Sequence, residues 1–258
     1  MKTVFAGILL LIMTGVPGAG IMTSEIDYKQ DSTVFKSFIA YDDKITGKRP
    51  GVLVVHEWWG LNDFVREKAK ALAALGYVAF APDMYGDGKT TTSADEAGKL
   101  SGAVRADPAV LRARIAAALE KLRSDIHVDK TRIACIGYCF GGGVALELAR
   151  SGADVRGVVS FHGSLATTTP ATEKPKARIL ICHGADDTFV TMDQVAGLIE
   201  ELKKVKADYE VDIYAHAVHA FSNPDADKAG LPGVAYNAEA DRMSWEQMKK
   251  FLGEVLGK

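Results

Sequence analysis

Cys139 sits in Gly137-Tyr138-Cys139-Phe140-Gly141, with a glycine two residues away on either side. That spacing suits a sharp turn from a strand into a helix, where a nucleophile is lifted above the sheet edge and a flanking side chain would collide. On such a turn the N–H of Phe140 faces the place where an oxyanion would form, and the helix N-terminus beneath favours a thiolate. The competing reading is a small apolar residue in a glycine-rich turn. Two further groups complete a possible relay: Asp187, in His183-Gly184-Ala185-Asp186-Asp187, and His219, in His216-Ala217-Val218-His219. His219 would act as base and then as proton donor, while Asp187 would fix its tautomer and stabilise the imidazolium. Asp186 and His216 are their direct rivals, with His216 expected to lie still on the strand before the loop, and the favoured pair is Asp187 with His219.

These residues need elements to hold them. Residues 51–55, GVLVV, follow Pro50 as an unbroken apolar run, the mark of a strand buried on both faces. Similar runs occupy 77–81, 132–137, 155–161 and 178–184, and YEVDIY at 209–214 is the last strand. Helical patterns fill 62–75, 108–122, 141–151, 192–205 and 239–256. Strands alternating with helices of this length predict a mostly parallel, doubly wound α/β sheet with helices on both faces. Residues 33–41 alternate apolar and polar side chains, which predicts a half-exposed antiparallel edge strand. The polar, glycine-bearing stretch 85–107 is expected to form a rim or lid. Sites in such sheets lie at the carboxyl ends of strands. That rule selects four places: His56-Glu57-Trp58-Trp59-Gly60, the Cys139 turn, the Asp187 loop and the His219 loop.

Five segments, VLVVHEWWGLNDF, YVAFAPDMYG, IACIGYCFGGG, ICHGADDTFV and HAVHAFSNPDA, together resemble the dienelactone hydrolase family of α/β-hydrolases. The similarity runs over roughly 34–256, and the chain order nucleophile, acid, histidine is that of the α/β-hydrolase fold. The resemblance implies catalytic roles for Cys139, Asp187, His219 and the strand-end Glu57, with Trp58 and Phe140 supplying the oxyanion-hole amides. It also implies a neutral resting thiol hydrogen-bonded toward Glu57, which substrate would displace. The implied activity is hydrolysis of an ester or lactone through an acyl-thioester, as in a carboxymethylenebutenolidase, with no cofactor and no metal. One departure stands out. Family members acting on dienelactone hold its carboxylate with arginines, one of them a few residues after the histidine. Here that stretch is His219-Ala220-Phe221-Ser222-Asn223-Pro224. Arg105 and Arg112 are both open as the second arginine. Trp59, Tyr85 and Phe221 are expected to line the substrate pocket, with core filling as the alternative for Trp59 and Phe221.

The rest of the chain narrows partners and compartment. A formal net charge of −2, with acidic and basic residues interspersed, offers no basic patch for nucleic acid. Lys2, the apolar run 4–13 and the small residues Gly18 to Gly20 predict a secretory signal over 1–20 and an exported, periplasmic protein with a single domain over 21–258. A retained membrane anchor and a cytoplasmic form begun at Met22 are the alternatives, and no membrane association is expected once the leader is removed. A monomer acting on a small molecule is the expected state. Three cysteines make no disulfide framework, and Cys135 and Cys182 lie inside strand-like runs as small buried hydrophobes. His56-Glu57 begins like HExxH, but Gly60 occupies the second histidine's place. Redox use of Cys139 lacks a partner at CxxC spacing. A non-catalytic binding protein on the same fold is the rival from another class.

Overall fold

A computed structural model describes residues 20–257. Eight strands form one sheet: β1 (Ile21–Gln30), β2 (Thr33–Asp42), β3 (Arg49–Val55), β4 (Val78–Ala81), β5 (Val128–Tyr138), β6 (Gly157–Phe161), β7 (Arg178–Gly184) and β8 (Tyr209–Tyr214). Their order is β1-β2-β4-β3-β5-β6-β7-β8. Every pairing from β4 to β8 is parallel, whereas β2 runs antiparallel to both β1 and β4. The helices are α1 (Asp63–Ala74), α2 (Ala94–Arg105), α3 (Pro108–Arg123), α4 (Phe140–Arg150), α5 (Met192–Lys204) and α6 (Ala238–Leu256).

The unbroken apolar runs follow from this layering. Along β3, Val52 and Val54 belong to the hydrophobic cluster that α1 and α6 also fill, while Leu53 and Val55 belong to the one filled by α3, α4 and α5 on the opposite face. A strand covered on both faces must be apolar at every position, which removes the alternation a half-exposed strand shows. Cys135 and Cys182 are fully buried, as expected of small hydrophobes.

Two expectations are corrected. Residues 33–41 are not an edge strand, because β1 pairs along the whole of β2 and takes the edge itself. The strand β1 carries no buried-strand signature because its sequence, IMTSEIDYKQ, is half polar and largely solvent-facing. His216 is not on the last strand either. It follows β8 in a left-handed conformation, φ 59°, with its side chain 92% exposed. The leader predicted at 1–20 lies outside the described residues except for Gly20.

The segment 85–107 is built on Asp83, whose carboxylate accepts N–H bonds from Tyr85, Gly86 and Gly88. It then enters α2, which Ser93 caps by accepting the N–H of Glu96. No described helix is long and apolar enough to cross a membrane.

Candidate active site

The turn carrying Cys139 links β5 to α4 at the centre of the sheet. Gly137 is paired with Val55 of β3 and Ser160 of β6. A Cβ on Gly137 would stand 2.0 Å from the Gly141 carbonyl oxygen, and one on Gly141 would stand 2.3 Å from that of Val55. Only glycine fits these two positions. Cys139 takes φ 52° and ψ −114°, a strained conformation held by the packed strands on either side. Its thiol is thereby presented at the carboxyl edge of the sheet rather than folded into the core.

The relay is assembled across the sheet. His219 Nε2 lies 3.1 Å from Cys139 Sγ, and His219 Nδ1 lies 2.8 Å from Asp187 Oδ2. The other oxygen, Asp187 Oδ1, accepts the N–H groups of Phe189 and Val190, both at 2.9 Å. Asp186 points elsewhere, 3.9 Å from the exposed His216. The 219 loop is clamped by a strap from the following segment: His219 N–H donates to Gly233, and Ala235 N–H donates to His219.

Burial opposes charge on His219, but the nearby Cys139 sulfur and Asp187 outweigh it and carry the imidazole up to about 10. Burial likewise works against an ionised Asp187, yet the His219 hydrogen bond and charge hold it below the usual carboxylate range. The geometry therefore favours a protonated, aspartate-backed histidine beside the sulfur.

Glu57 follows β3, only 2% exposed, and burial pushes its carboxyl up to about 7 against the pull of Asn223 and His219. Its Oε2 accepts a bond from Asn223 Nδ2 at 2.6 Å. The resting contact expected between Cys139 and Glu57 is not formed: the hydrogen-bond partner of the sulfur is His219, and that of the carboxylate is Asn223. The side chain at 223, a short amide, reaches the glutamate directly.

Trp58 and Phe140 both border a cavity of about 710 Å³, together with Glu57, Trp59, Cys139 and His219. Among the described residues neither the Trp58 N–H nor the Phe140 N–H donates an internal backbone bond. Amides without an internal backbone partner, on residues that border the same cavity as Cys139, are the kind of donor an oxyanion needs. Of the expected pocket residues, only Trp59 borders the cavity. Tyr85 is 5% exposed, and its hydroxyl donates to the Trp58 carbonyl, so it braces the strand-end loop from behind. Phe221 is fully buried against His162 and Tyr214 and belongs to the core.

Several participants were not foreseen. Thr90, Thr91 and Thr92 and the exposed ring of Phe189 border the cavity, and that ring lies 5.3 Å from His219. The ring of His162 packs edge-on against His219 at 5.4 Å, and its Nε2 meets Ser222 Oγ at 2.7 Å. Burial and the His219 charge hold His162 well below the usual histidine range. Such contacts join segments far apart in the chain, and no local pattern announces them. Of the two arginines, Arg105 borders the cavity, whereas Arg112 is tied to Glu147 and Thr169. His56 turns inward, its Nε2 accepting the N–H of Met84. No cluster of three or more metal-ligating side chains occurs among the described residues.

A mostly parallel sheet, a glycine-flanked cysteine turn after a central strand, and aspartate and histidine loops after later strands define an α/β-hydrolase. Residues 35–256 match the model of the dienelactone hydrolase family, and the chain belongs to that family. "Protein usf" of Aquifex pyrophilus is 30% identical over 91% of this chain and its own full length. A solved structure named m3DLH is 37% identical with a TM-score of 0.89, covering 92% of this chain and 100% of that one. A dienelactone hydrolase-like promiscuous phosphotriesterase from metagenomic libraries is 36% identical with a TM-score of 0.88, covering 92% of this chain and 99% of that one. By class the chain is a carboxylic ester hydrolase.

Proposed function

We propose that this hydrolase cleaves activated esters or lactones with Cys139 as nucleophile, through an acyl-thioester. The observation that carries the reading is the continuous chain Asp187–His219–Cys139, at 2.8 and 3.1 Å, beside the cavity. The sulfur attacks the acyl carbon, and the Trp58 and Phe140 amides hold the oxyanion. Collapse expels the alcohol or enol oxygen, which takes the proton from His219 Nε2. His219 then removes a proton from water, the resulting hydroxide attacks the thioester, and the thiolate leaves with the acid as product.

A thiolate is itself a good leaving group. The first tetrahedral intermediate therefore partitions forward only when the alcohol side departs readily, which favours lactones, enol esters and aryl esters over amides. With Asn223 and no arginine in the loop after His219, a substrate carboxylate lacks one of the two guanidinium contacts expected for dienelactone. The absence of that arginine favours neutral acyl groups, with Arg105 and Lys228 as the cations that border the cavity. The similarity to a promiscuous phosphotriesterase supports aryl phosphotriesters as a second substrate class to include. The signal pattern at 1–20 supports work after export, checked by N-terminal sequencing of protein from fractionated cells.

Substituting Cys139→Ala is expected to abolish hydrolysis of p-nitrophenyl acetate, about 10³-fold or more in kcat/KM. Turnover at the wild-type rate in that variant refutes the mechanism. A panel of lactones and aryl esters, with and without a carboxylate, reads the substrate class, and a marked carboxylate preference refutes the neutral-acyl reading.

A further inference from the structure

Asn223 lies four residues past His219, only 6% exposed, and its side chain bridges two segments that border the cavity. Its Oδ1 accepts the N–H of Asp225 at 2.9 Å, which fixes the orientation of the amide. The Nδ2 group is therefore the end presented to Glu57, whose Oε2 lies 2.6 Å away across a sequence separation of 166. The Asn223 backbone is equally fixed. Its N–H donates to Ala220 and its carbonyl accepts from Ala226, both at 2.9 Å. A buried donor aimed by its own turn at a buried carboxylate is a built contact, and on the other side of that carboxylate is the nucleophile's chamber.

We propose that Asn223 is a positioning residue: it anchors Glu57 to the loop after His219, so that the Cys139 sulfur stays engaged with His219 instead of turning to the glutamate. The inference rests on the cysteine-hydrolase reading of the site. Physically, Glu57 competes with His219 for the sulfur in either protonation state. An ionised carboxylate near the sulfur repels a thiolate, and a protonated one donates to it and lowers its nucleophilicity. Tying one carboxylate oxygen to a neutral amide removes the competitor without placing a second positive charge in the chamber. The groups that act on Glu57 are the Asn223 amide, His219 and Lys68 of α1, and Tyr138 at the end of β5 senses it in turn. Burial brings Glu57 to about 7, so both of its forms exist near neutrality and the anchor matters across the working range.

The test is alkylation of the full-length protein by iodoacetamide, a neutral reagent that reads the sulfur without any ester. Cys135 and Cys182 are buried, so Cys139 is the reactive thiol. In Asn223→Ala, alkylation at pH 8 is expected to slow about tenfold, the scale of losing a hydrogen bond to a charged group. The limb of the pH profile belonging to Glu57 should move upward, because the lost N–H had favoured the carboxylate. Adding Glu57→Gln to that variant removes the competing charge and should restore the rate to within about twofold of wild type, a rescue that a merely structural defect would not show. If Asn223→Ala does not fold, Asn223→Ser is read in its place, since a serine is too short to reach Glu57. Wild-type alkylation in the single variant, or a double variant as slow as the single, overturns the proposal. A wild-type protein that alkylates in this pattern but hydrolyses no ester refutes the hydrolase reading and leaves the anchor standing.

Discussion

At the scale of single residues, the site is a set of charges that burial makes expensive and partners make tolerable. Asp187 illustrates the arrangement: one oxygen is saturated by two backbone N–H groups and the other is left for His219 alone. Asp187→Asn keeps the shape but presents the wrong hydrogen-bonding end, and kcat for p-nitrophenyl acetate is expected to fall about 10³- to 10⁴-fold with a near-wild-type melting temperature. Glu57 is the opposite case, a carboxyl that burial raises to about 7 from the 4.5 of an exposed glutamate. The unfolded chain loses that proton near 4.5 while the folded chain holds it to about 7, so the contribution of Glu57 to stability is greatest at low pH and declines as pH rises through that window. Glu57→Gln removes the titration. The variant should gain stability relative to wild type on going from pH 5 to pH 8, by up to about 3 kcal/mol. Urea melts at the two pH values measure this, and an equal difference at both would contradict the assignment.

Elements decide whether those residues meet. The Cys139 turn reaches the sheet edge because β5 is central, flanked by β3 and β6, and because α4 begins directly under Cys139. The glycines are steric necessities here: Gly137→Ala would drive a methyl group to 2.0 Å from the Gly141 carbonyl oxygen. The expected result is a loss of more than about 4 kcal/mol or no soluble protein, read by chemical denaturation of whatever is recovered. The glycine spacing at this turn was legible in the chain, as were the parallel strands and every helix but α2, which lies inside the polar stretch 85–107. The strand β1 was not, since an edge strand facing solvent lacks the apolar signature of its neighbours.

Across the whole molecule, a buried ionic network ties three helices on one face of the sheet together. Arg150 at the end of α4 makes a two-pronged contact with Glu201 of α5, at 2.9 and 2.8 Å, and reaches Glu147 at 3.0 Å. Glu147 in turn accepts from Arg112 of α3 at 2.9 Å. Burial would push Glu201 up, but the Arg150 bonds hold it below the usual carboxylate range. Arg150→Ala leaves the buried Glu147 and the part-buried Glu201 short of a partner and is expected to destabilise by about 3 kcal/mol. With the network remote from the sulfur, kcat at 25 °C should be almost unchanged in the folded fraction, and an equally large drop in kcat would show coupling to the site.

The amino-acid order by itself determined the fold class, the turn that carries Cys139, and the strand-end loops that hold Asp187, His219 and Glu57. It could do so because buried strands, helix periods and glycine-flanked turns are local, and their physics is written in neighbouring residues. Only the tertiary structure decided which aspartate faces the histidine, that Tyr85 and Phe221 stand behind the cavity and not in it, and that Asn223 holds Glu57 while the sulfur meets His219. Those outcomes depend on side chains from distant segments competing for the same few hydrogen bonds. The winner of such a competition is set by ångström-scale placement, to which spacing along the chain is blind.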